Sequence, residues 1–260
     1  MITSRSWNRR CIYMELINRV ALVTGSGRNI GKSIALKLAS MGADVIVNAK
    51  ENTSEANQTV ESIKQLGRKS ISVIGDIGSQ ESVNKIINQI ETSFNHVDIV
   101  VNNASLRRVQ PFSSMTYENW REMINTDLDS AFLLTQPFVE TMIENQWGRV
   151  INIAGLNAVE GRSGWAHVSA AKMGLIGFTR SLSKELAPHG ITVNCISPGM
   201  IDTSRTDLSS PRPVDRQSHI PIGRKGYLEE ISGLCGWLCM EESGFISGQT
   251  IHVNGGEKNY

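Results

Sequence analysis

The sequence predicts an α/β protein in which a parallel sheet carries helices on both faces. Short apolar runs of strand length recur along the chain, and their near-continuous valine and isoleucine content is typical of strands buried on both faces. Amphipathic helical patterns lie between these runs, and strand–helix alternation at this spacing is typical of a parallel sheet. The predicted strands are 19–24, 44–48, 70–75, 97–102, 149–154, 191–196 and 249–253.

The segments between the strands show helix signals of several kinds. An apolar stripe covers 30–41, and Gly42 is predicted to end that helix. Ser79 is typical of an N-cap at the start of the helix after the third strand. A long helical pattern covers about 117–145, whereas the proline-bearing stretch 198–226 predicts a functional lid or a mobile loop.

Composition and charge narrow the classes of function. The chain has 260 residues, of which 40% are hydrophobic and 20% charged, with a net charge of +1, so bulk charge indicates no nucleic-acid partner. No apolar run approaches the ~18 residues of a membrane helix, and the N-terminus lacks the core of a signal peptide, which predicts a cytoplasmic protein. The four cysteines lack metal-ligand spacing and predict buried thiols without a metal site. Residues 1–13 are predicted to be a disordered leader, and 14–260 a single domain.

A glycine-rich turn follows the first strand and predicts a dinucleotide site. The stretch "TGSGRNIG" (24–31) places glycines at 25, 27 and 31, between a strand and a helix. Glycines let the chain turn sharply and bring backbone N–H groups to a pyrophosphate at the positive end of the helix. The spacing is GxGxxxG, so its position in the chain supports the prediction more than the pattern alone does.

The end of the second strand indicates which dinucleotide. A site for NAD(H) needs a carboxylate there to accept a hydrogen bond from the ribose 2′-hydroxyl. The chain instead has "VIVNAK", ending in Lys50, and Arg28 lies in the glycine turn. Two cations without an acid suit a 2′-phosphate, which favours NADP(H) over NAD(H).

Several ordered motifs resemble the short-chain dehydrogenase/reductase family. They are "TGSGRNIG", "GDI" (75–77), "NNAS" (102–105), "MINTDLDSAF" (123–132), Lys172, "NCISPGMIDT" (194–203) and "GFISGQTIHVNGG" (244–256). Within the family, the chain resembles the group of 3-oxoacyl-acyl-carrier-protein reductases. The resemblance implies a single Rossmann-type, doubly wound, seven-stranded sheet, a small-molecule substrate and a homotetramer or homodimer.

The resemblance also implies where the cofactor contacts lie. Asp76 and Ile77 would meet the adenine, Asn102 and Ala104 the ribose, and the stretch 198–203 the nicotinamide. Lys172 would donate to the nicotinamide ribose. The full predicted cofactor set is Gly25, Arg28, Asn29, Ile30, Gly31, Lys50, Asp76, Ile77, Asn102, Ala104, Lys172, Pro198, Gly199, Ile201 and Thr203.

Two departures from the family pattern lie near the cofactor. Asn29 stands where the family has a glycine, and asparagine tolerates a left-handed backbone better than other non-glycine residues, so the turn can survive. Ser105 replaces the last glycine of the family's NNAG, which we expect to be a mild change.

The larger departure is in the expected catalytic set of Asn, Ser, Tyr and Lys. Asn125 and Lys172 match the first and last of these, whereas counting back from Lys172 gives Val168 for the Tyr and Gly155 for the Ser. Neither valine nor glycine can protonate or hold a carbonyl oxygen. General acid catalysis contributes ~10²–10⁴-fold, so reduction of a simple ketone by the family's usual route should be severely impaired.

His167 is the nearest alternative proton donor. It precedes Val168 and can titrate near neutral pH, although neighbours on a helix point ~100° apart. Three functions remain open. The first is an NADP(H)-dependent oxidoreductase that acts on a small carbonyl, imine or enone, with His167 or water as the proton donor. The second is a non-redox enzyme such as a cyclase, isomerase or dehydratase, and the third is a catalytically silent nucleotide-binding subunit.

Overall fold

The computed structural model describes residues 15–203 and 217–259. The predicted disordered leader, 1–13, lies outside the described residues. The middle of the predicted lid, 204–216, also lies outside them.

The described residues form one seven-stranded parallel sheet, which confirms the predicted fold class. The strand order is β3-β2-β1-β4-β5-β6-β7, so the order reverses beside β1. This reversal places a crevice between β1 and β4, where doubly wound sheets bind their ligands. The strands are β1 (Val20–Val23), β2 (Asp44–Ala49), β3 (Ser70–Ile74), β4 (Ile99–Asn102), β5 (Gly148–Ile153), β6 (Ile191–Pro198) and β7 (Thr250–Val253).

Helices cover both faces of this sheet and bury a separate apolar core on each. The helices are α1 (Asn29–Ser40), α2 (Thr53–Gln65), α3 (Gln80–Ser93), α4 (Tyr117–Ile124), α5 (Ser130–Glu144), α6 (Asn157–Glu160), α7 (Ala166–Leu186) and α8 (Leu228–Leu238). One core joins α1, α2 and α8 to the sheet, with Leu38 and Ile231 fully buried. The other joins α3 and α5 through Ile86 and Leu134. The predicted cap Ser79 accepts a hydrogen bond from the N–H of Ser82 at the start of α3.

The predicted long helix 117–145 is interrupted. Residues 125–129 form a π-helical turn between α4 and α5. A π turn bonds residue i to i+5 and therefore changes which side chains face a neighbouring element. The interruption lies against α7, so it decides which residue of this segment meets the site.

The membrane and cysteine predictions can be compared with the described residues. Over the described ranges, the structure has no helix that is both long and apolar enough to span a bilayer. Cys195, Cys235 and Cys239 are buried free thiols, as predicted. Burial raises the pKa of Cys195 to about 11, which keeps this thiol in its unreactive protonated form near neutral pH.

Shortening a core residue of the central strands should destabilise the whole fold. Ile151 on β5 is fully buried in the core that contains α1 and α8. We expect Ile151→Ala to lower the free energy of unfolding by about 2–5 kcal/mol, because the cavity adds to the lost burial. Ile222→Ala is the matched control, since Ile222 is exposed and should change stability by less than about 0.5 kcal/mol. Denaturant unfolding measures both variants, and equal losses would contradict the assigned core.

Candidate active site

The turn between β1 and α1 has the geometry that a pyrophosphate requires. Gly25 has a φ of +60°, in the left-handed region. A Cβ on Gly31 would lie 2.3 Å from the carbonyl oxygen of Gly25, so no larger residue fits there. The N-cap residue Arg28 makes no side-chain cap, and the first turn of α1 contains no acid. The positive end of α1 is therefore suited to an anionic group.

Asn29 adopts the conformation expected for the missing glycine. Its φ is +49°, which confirms that this asparagine takes the left-handed backbone. The turn therefore keeps its path despite the departure from the family's glycine pattern.

Two residues that the sequence analysis did not single out hold this turn against β4. The hydroxyl of Thr24 accepts hydrogen bonds from the N–H groups of Asn103 and Ala104, both at 2.9 Å. The side-chain amide of Asn103 donates back to the carbonyl oxygens of Thr24 and Gly25, at 2.8 and 3.3 Å. These contacts join the carboxyl ends of β1 and β4, which flank the crevice. The signal for them was present in "NNAS", whose second asparagine makes the contact.

Asn102 directs its side chain into the protein. Its amide donates to Thr135 on α5 at 3.2 Å and to Asn152 on β5 at 2.8 Å. Asn152 continues the chain of contacts to Thr179 on α7. The side chain of Asn102 therefore links β4 to α5 and β5, and a contact with the ribose stays a prediction. Ala104 lies against Gly25, where the ends of β1 and β4 meet.

The predicted cations lie at the crevice with acidic neighbours. Lys50 Nζ lies 2.7 Å from Asp76, and Arg28 lies 4.0 Å from Glu55. The hydrogen bond to Asp76 raises the pKa of Lys50. Burial acts to raise the pKa of Asp76, but the hydrogen bonds from Lys50 and the Gly78 N–H outweigh it and hold this pKa below its usual value. Asp76 is therefore an anion at neutral pH that can accept from an adenine or keep Lys50 in place. Ile77, its neighbour, is buried.

The end of β2 provides a structural residue instead of a ribose-binding acid. Asn48 is buried, and its side-chain oxygen Oδ1 accepts a hydrogen bond from the Gly25 N–H at 3.3 Å. Its amide donates to the carbonyl oxygens of Val73 and Gly75 on the β3 side. Asn48 thus ties the glycine turn to β2 and β3 and leaves no carboxylate at its own position.

Lys172 on α7 is buried at the carboxyl end of β5. Its Nζ donates to the carbonyl oxygen of Ile153 at 3.0 Å and lies 3.3 Å from Oδ2 of Asp127. Asn125, the expected catalytic asparagine, is elsewhere: its Oδ1 accepts from Arg121 at 2.6 Å, on a partly exposed face. The side chain that lies beside Lys172 comes from Asp127 in the π turn, while that of Asn125 contacts Arg121. A catalytic role for Asn125 stays a prediction.

Asp127 has a full set of partners. Its side chain is inaccessible to solvent. Oδ1 accepts from the N–H of Leu106 at 2.7 Å, and Oδ2 accepts from the hydroxyl of Ser105 at 2.5 Å. Ser105, expected to be a mild departure from glycine, is therefore a direct partner of the carboxylate that pairs with Lys172.

The two positions without hydroxyls have different surroundings. No atom lies within 4 Å of where a Cβ on Gly155 would be, so this position opens onto free space. Val168 is buried and packs with Met123 and Trp165 in a small apolar cluster. The space beside Gly155 is therefore open, whereas apolar side chains fill the space around Val168. We call the region between these two positions the reaction chamber.

His167 is sealed inside the protein. Its exposed fraction is 0%, and neither ring nitrogen has a hydrogen-bond partner among the described residues. Burial lowers the pKa of His167, Arg108 lowers it further, and Asp127 acts in the opposite direction. The ring is thus a neutral imidazole near pH 7, enclosed by the protein.

The stretch 198–203, which the resemblance assigns to the nicotinamide, begins at the last residue of β6. Gly199 lies so close to Asn254 that a Cβ would come within 2.8 Å of its Cα, and its N–H donates to the carbonyl oxygen of Val253. The carbonyl oxygen of Pro198 accepts from the N–H of Leu156, one residue after Gly155. Ile201 forms a bridge with Gly226. Thr203 and Ile30, the remaining predicted contacts, are half-buried.

Comparisons with known proteins agree with this architecture. The family model for the short chain dehydrogenase matches residues 19–212. The 3-oxoacyl-acyl-carrier-protein reductase FabG of Aquifex aeolicus (strain VF5) is 39% identical, over 94% of this chain and 98% of its own. The acetoacetyl-CoA reductase of Cupriavidus necator is 35% identical, over 93% and 98%.

A solved structure shows the same fold. It is that of a candidate short-chain alcohol dehydrogenase from Sinorhizobium meliloti 1021, with a TM-score of 0.87 and 32% identity. The match covers 94% of this chain and 97% of that one. With this fold, these relatives and the matching family model, the chain belongs to the short-chain dehydrogenase family.

Proposed function

We propose that the protein is an NADP(H)-dependent oxidoreductase that reduces a small carbonyl, imine or enone with a non-standard proton donor. The observation that carries this proposal is the cofactor end of the site. The Gly25–Gly31 turn keeps its close backbone contact, the N-terminus of α1 is open to an anion, and Lys172 is held at the end of β5. A nicotinamide dinucleotide would supply the hydride. The chain's own residues bind it, orient it and keep water away.

The preference for NADP(H) rests on Arg28 and Lys50. Both are partly exposed, and their contacts to Glu55 and Asp76 are surface ion pairs. Such pairs contribute about 0–1 kcal/mol, so a 2′-phosphate can draw both cations to itself at little cost. Because Asn48 stands at the end of β2, that position carries no carboxylate to repel the phosphate.

The proton donor limits the substrate. Gly155 and Val168 have no proton to give, and His167 is neutral and enclosed. Hydride addition to a ketone leaves an alkoxide, which then has to take its proton from water. Hydride addition to an iminium cation gives a neutral amine and needs no acid, and an enone delocalises its charge as an enolate. The site therefore favours activated substrates over simple ketones.

A catalytically silent nucleotide-binding subunit is the second candidate. The packing of Val168 against Met123 and Trp165 favours it, because hydrocarbon occupies the side of the chamber where an acid is expected. A non-redox enzyme would use the same nucleotide site as a structural element. If NADPH binds but is not oxidised, the protein is a silent subunit or a non-redox enzyme and not the proposed oxidoreductase.

We also propose that the protein assembles as a homotetramer or homodimer. Phe132 on α5 and Met173 on α7 are large apolar side chains that stand exposed on the described surface. A second copy of the chain would cover such side chains.

The first prediction about function concerns cofactor binding and turnover. NADPH should bind and should be oxidised faster with a cyclic iminium panel than with a matched ketone panel, because only the ketones need an acid. Fluorescence titration and stopped-flow absorbance measure the two steps. Gly31→Ala is the site-blocked control, since its Cβ would meet the Gly25 carbonyl oxygen. Binding without turnover on either panel would contradict the oxidoreductase and favour a silent subunit.

The second prediction concerns the choice of dinucleotide. Lys50→Ala and Arg28→Ala should each raise the Kd for NADPH about tenfold, which corresponds to ~1.4 kcal/mol, and leave the Kd for NADH unchanged. Lys85→Ala is the matched control, because Lys85 also lies 2.7 Å from an acid, Glu81, but belongs to α3 and not to the end of β2. An equal loss for both dinucleotides would overturn the preference for NADP(H).

The third prediction concerns the missing hydroxyls. Gly155→Ser should leave the melting temperature almost unchanged, because nothing occupies the space of its side chain. Val168→Tyr should cost about 1–3 kcal/mol, because the ring has to displace a packed cluster. The double variant should raise ketone reduction by at least ~10²-fold if the two hydroxyls are what the site lacks. No gain in a folded double variant would show that the chamber differs in more than its acid.

A further inference from the structure

The first turn of α7 presents hydrogen-bond donors that have no acceptor inside the helix. The first bond of helical type runs from the Ser169 N–H to the Trp165 carbonyl oxygen at 2.8 Å, so the N–H groups of the three residues between them are left without an intrahelical partner. The N-cap residue Trp165 makes no side-chain cap, and the first turn contains no acid. The positive end of this 21-residue helix is therefore suited to an anionic group.

Two buried side chains at the same helix start also lack partners. Trp165 is 5% exposed, and its indole Nε1 has no hydrogen-bond partner among the described residues. The same holds for both ring nitrogens of the buried His167. Side chains on a helix lean towards its N-terminus, so the imidazole of His167 leans towards the donors of the first turn. A buried polar group without a partner is costly, so these two side chains indicate that a polar group from outside the chain bonds here.

Positive charge surrounds this end of α7. The guanidinium carbon of Arg162 lies 4.7 Å from the centre of the Trp165 ring. Arg108, in the segment after β4, lies near enough to His167 to lower the pKa of its imidazole. An anion at the helix start would therefore meet two arginines in addition to the helix dipole.

Three acidic side chains on the elements around this helix start have basic partners. The pairs are Glu122 with Arg108 at 2.9 Å, Glu160 with Lys258 at 2.7 Å, and Asp127 with Lys172 at 3.3 Å. The acids belong to α4, α6 and the π turn. Their pairing offsets the repulsion that they would exert on an incoming anion.

The start of α7 borders the reaction chamber. Val168 lies in the first turn and packs with Trp165 in the apolar cluster on one side of the chamber. The hydroxyl of Ser169 donates to the carbonyl oxygen of Asn157 at 2.9 Å. Asn157 comes two residues after Gly155, beside which the space is open. A group held at the helix start would therefore belong to a molecule that occupies the chamber.

We propose that the substrate carries a carboxylate, which binds at the N-terminus of α7 to the N–H groups of the first turn and to the indole N–H of Trp165, with Arg162 beside it. The substrate is thus an acid that also contains the carbonyl, imine or enone to be reduced. This inference rests on the proposed function for the reaction, and it adds the part of the substrate that is not reduced. Trp165 and Arg162 determine specificity and transfer no proton.

Binding of the carboxylate can be tested without turnover. The full chain is labelled with ¹⁵N at its tryptophan indoles and titrated with pyruvate, acetoacetate and levulinate, with and without NADP⁺, which cannot reduce them. The methyl ester of each acid is the neutral control. We expect at least one acid to move the Trp165 indole N–H signal in a saturable way and its ester to leave the signal in place, because a charged acceptor makes the stronger hydrogen bond. Trp165→Phe identifies the signal by its loss. A Trp165 signal that no acid moves, or that acid and ester move equally, would overturn the proposal.

Steady-state kinetics with NADPH gives a second readout. The kcat/KM of the acid that binds should be at least about tenfold higher than that of its methyl ester. Trp165→Phe should raise the KM for this acid about tenfold and change kcat less than about twofold, because the indole binds the carboxylate and not the reacting atoms. Trp237→Phe is the matched control, because Trp237 lies on α8 and is exposed, and its kinetics should not change. If Trp165→Phe lowers the melting temperature but keeps the ratio of acid to ester, the indole bonds to an ordered water only and the proposal is overturned.

The carboxylate site and the proposed function fail in different ways. If an acid moves the Trp165 signal but no NADPH is oxidised, the carboxylate site stands and the oxidoreductase fails. If acids and esters are reduced equally well, the oxidoreductase stands and the carboxylate site fails. Arg162→Gln changes a half-buried side chain and keeps the test valid if Trp165→Phe does not fold. It should weaken binding of the acid about fivefold in the same titration, and unchanged binding would contradict the role of Arg162.

Discussion

The buried ion pair between Lys172 and Asp127 is the contact on which the arrangement of the site depends. It joins α7 to the π turn, while Ile153 and Ser105 attach the same two residues to β5 and to the segment after β4. A buried charge is costly unless an opposite charge or hydrogen bonds compensate it. Lys172 and Asp127 therefore have to stay together, and so do α7 and the π turn that carry them. Lys172 is consequently not a surface cation but a buried group whose position is restricted by Ile153 and Asp127.

The proposed cofactor end and the proposed reaction chamber are built from different kinds of group. The cofactor end is made mainly of backbone: a left-handed turn at Gly25, the N–H groups at the start of α1, and the clamp of Thr24 and Asn103. The proposed reaction chamber depends on individual side chains, and it has Gly155 and Val168 where the family pattern expects hydroxyls, while the fold is retained. A dinucleotide crevice can therefore persist while the reaction beside it changes, which is why family membership alone does not specify the substrate.

A residue that departs from the family pattern contacts a distant part of the chain in the structure, which its place along the sequence does not indicate. Ser105 replaces a glycine of the family pattern, and its hydroxyl donates to the carboxylate of Asp127. Asn125 matches the residue type of the family's asparagine. Its neighbour two positions along faces Lys172 because five residues form a π turn that shifts the helical phase. His167 looked usable from its place in the chain, and only the packing around α7 shows that it is enclosed.

The sequence by itself determined the sheet, the helices and the cofactor turn. These are set by local rules: apolar runs buried on both faces of a strand, a helical stripe, and backbone conformations that only glycine or asparagine adopts readily, as at Gly25 and Asn29. Tertiary structure alone decided which polar side chains meet. Asn102 turns inward to Asn152, and Asp127 pairs with Lys172, because these contacts join segments many residues apart. The geometry of these contacts depends on how whole helices and strands pack together, and the periodicity of the sequence does not predict that packing.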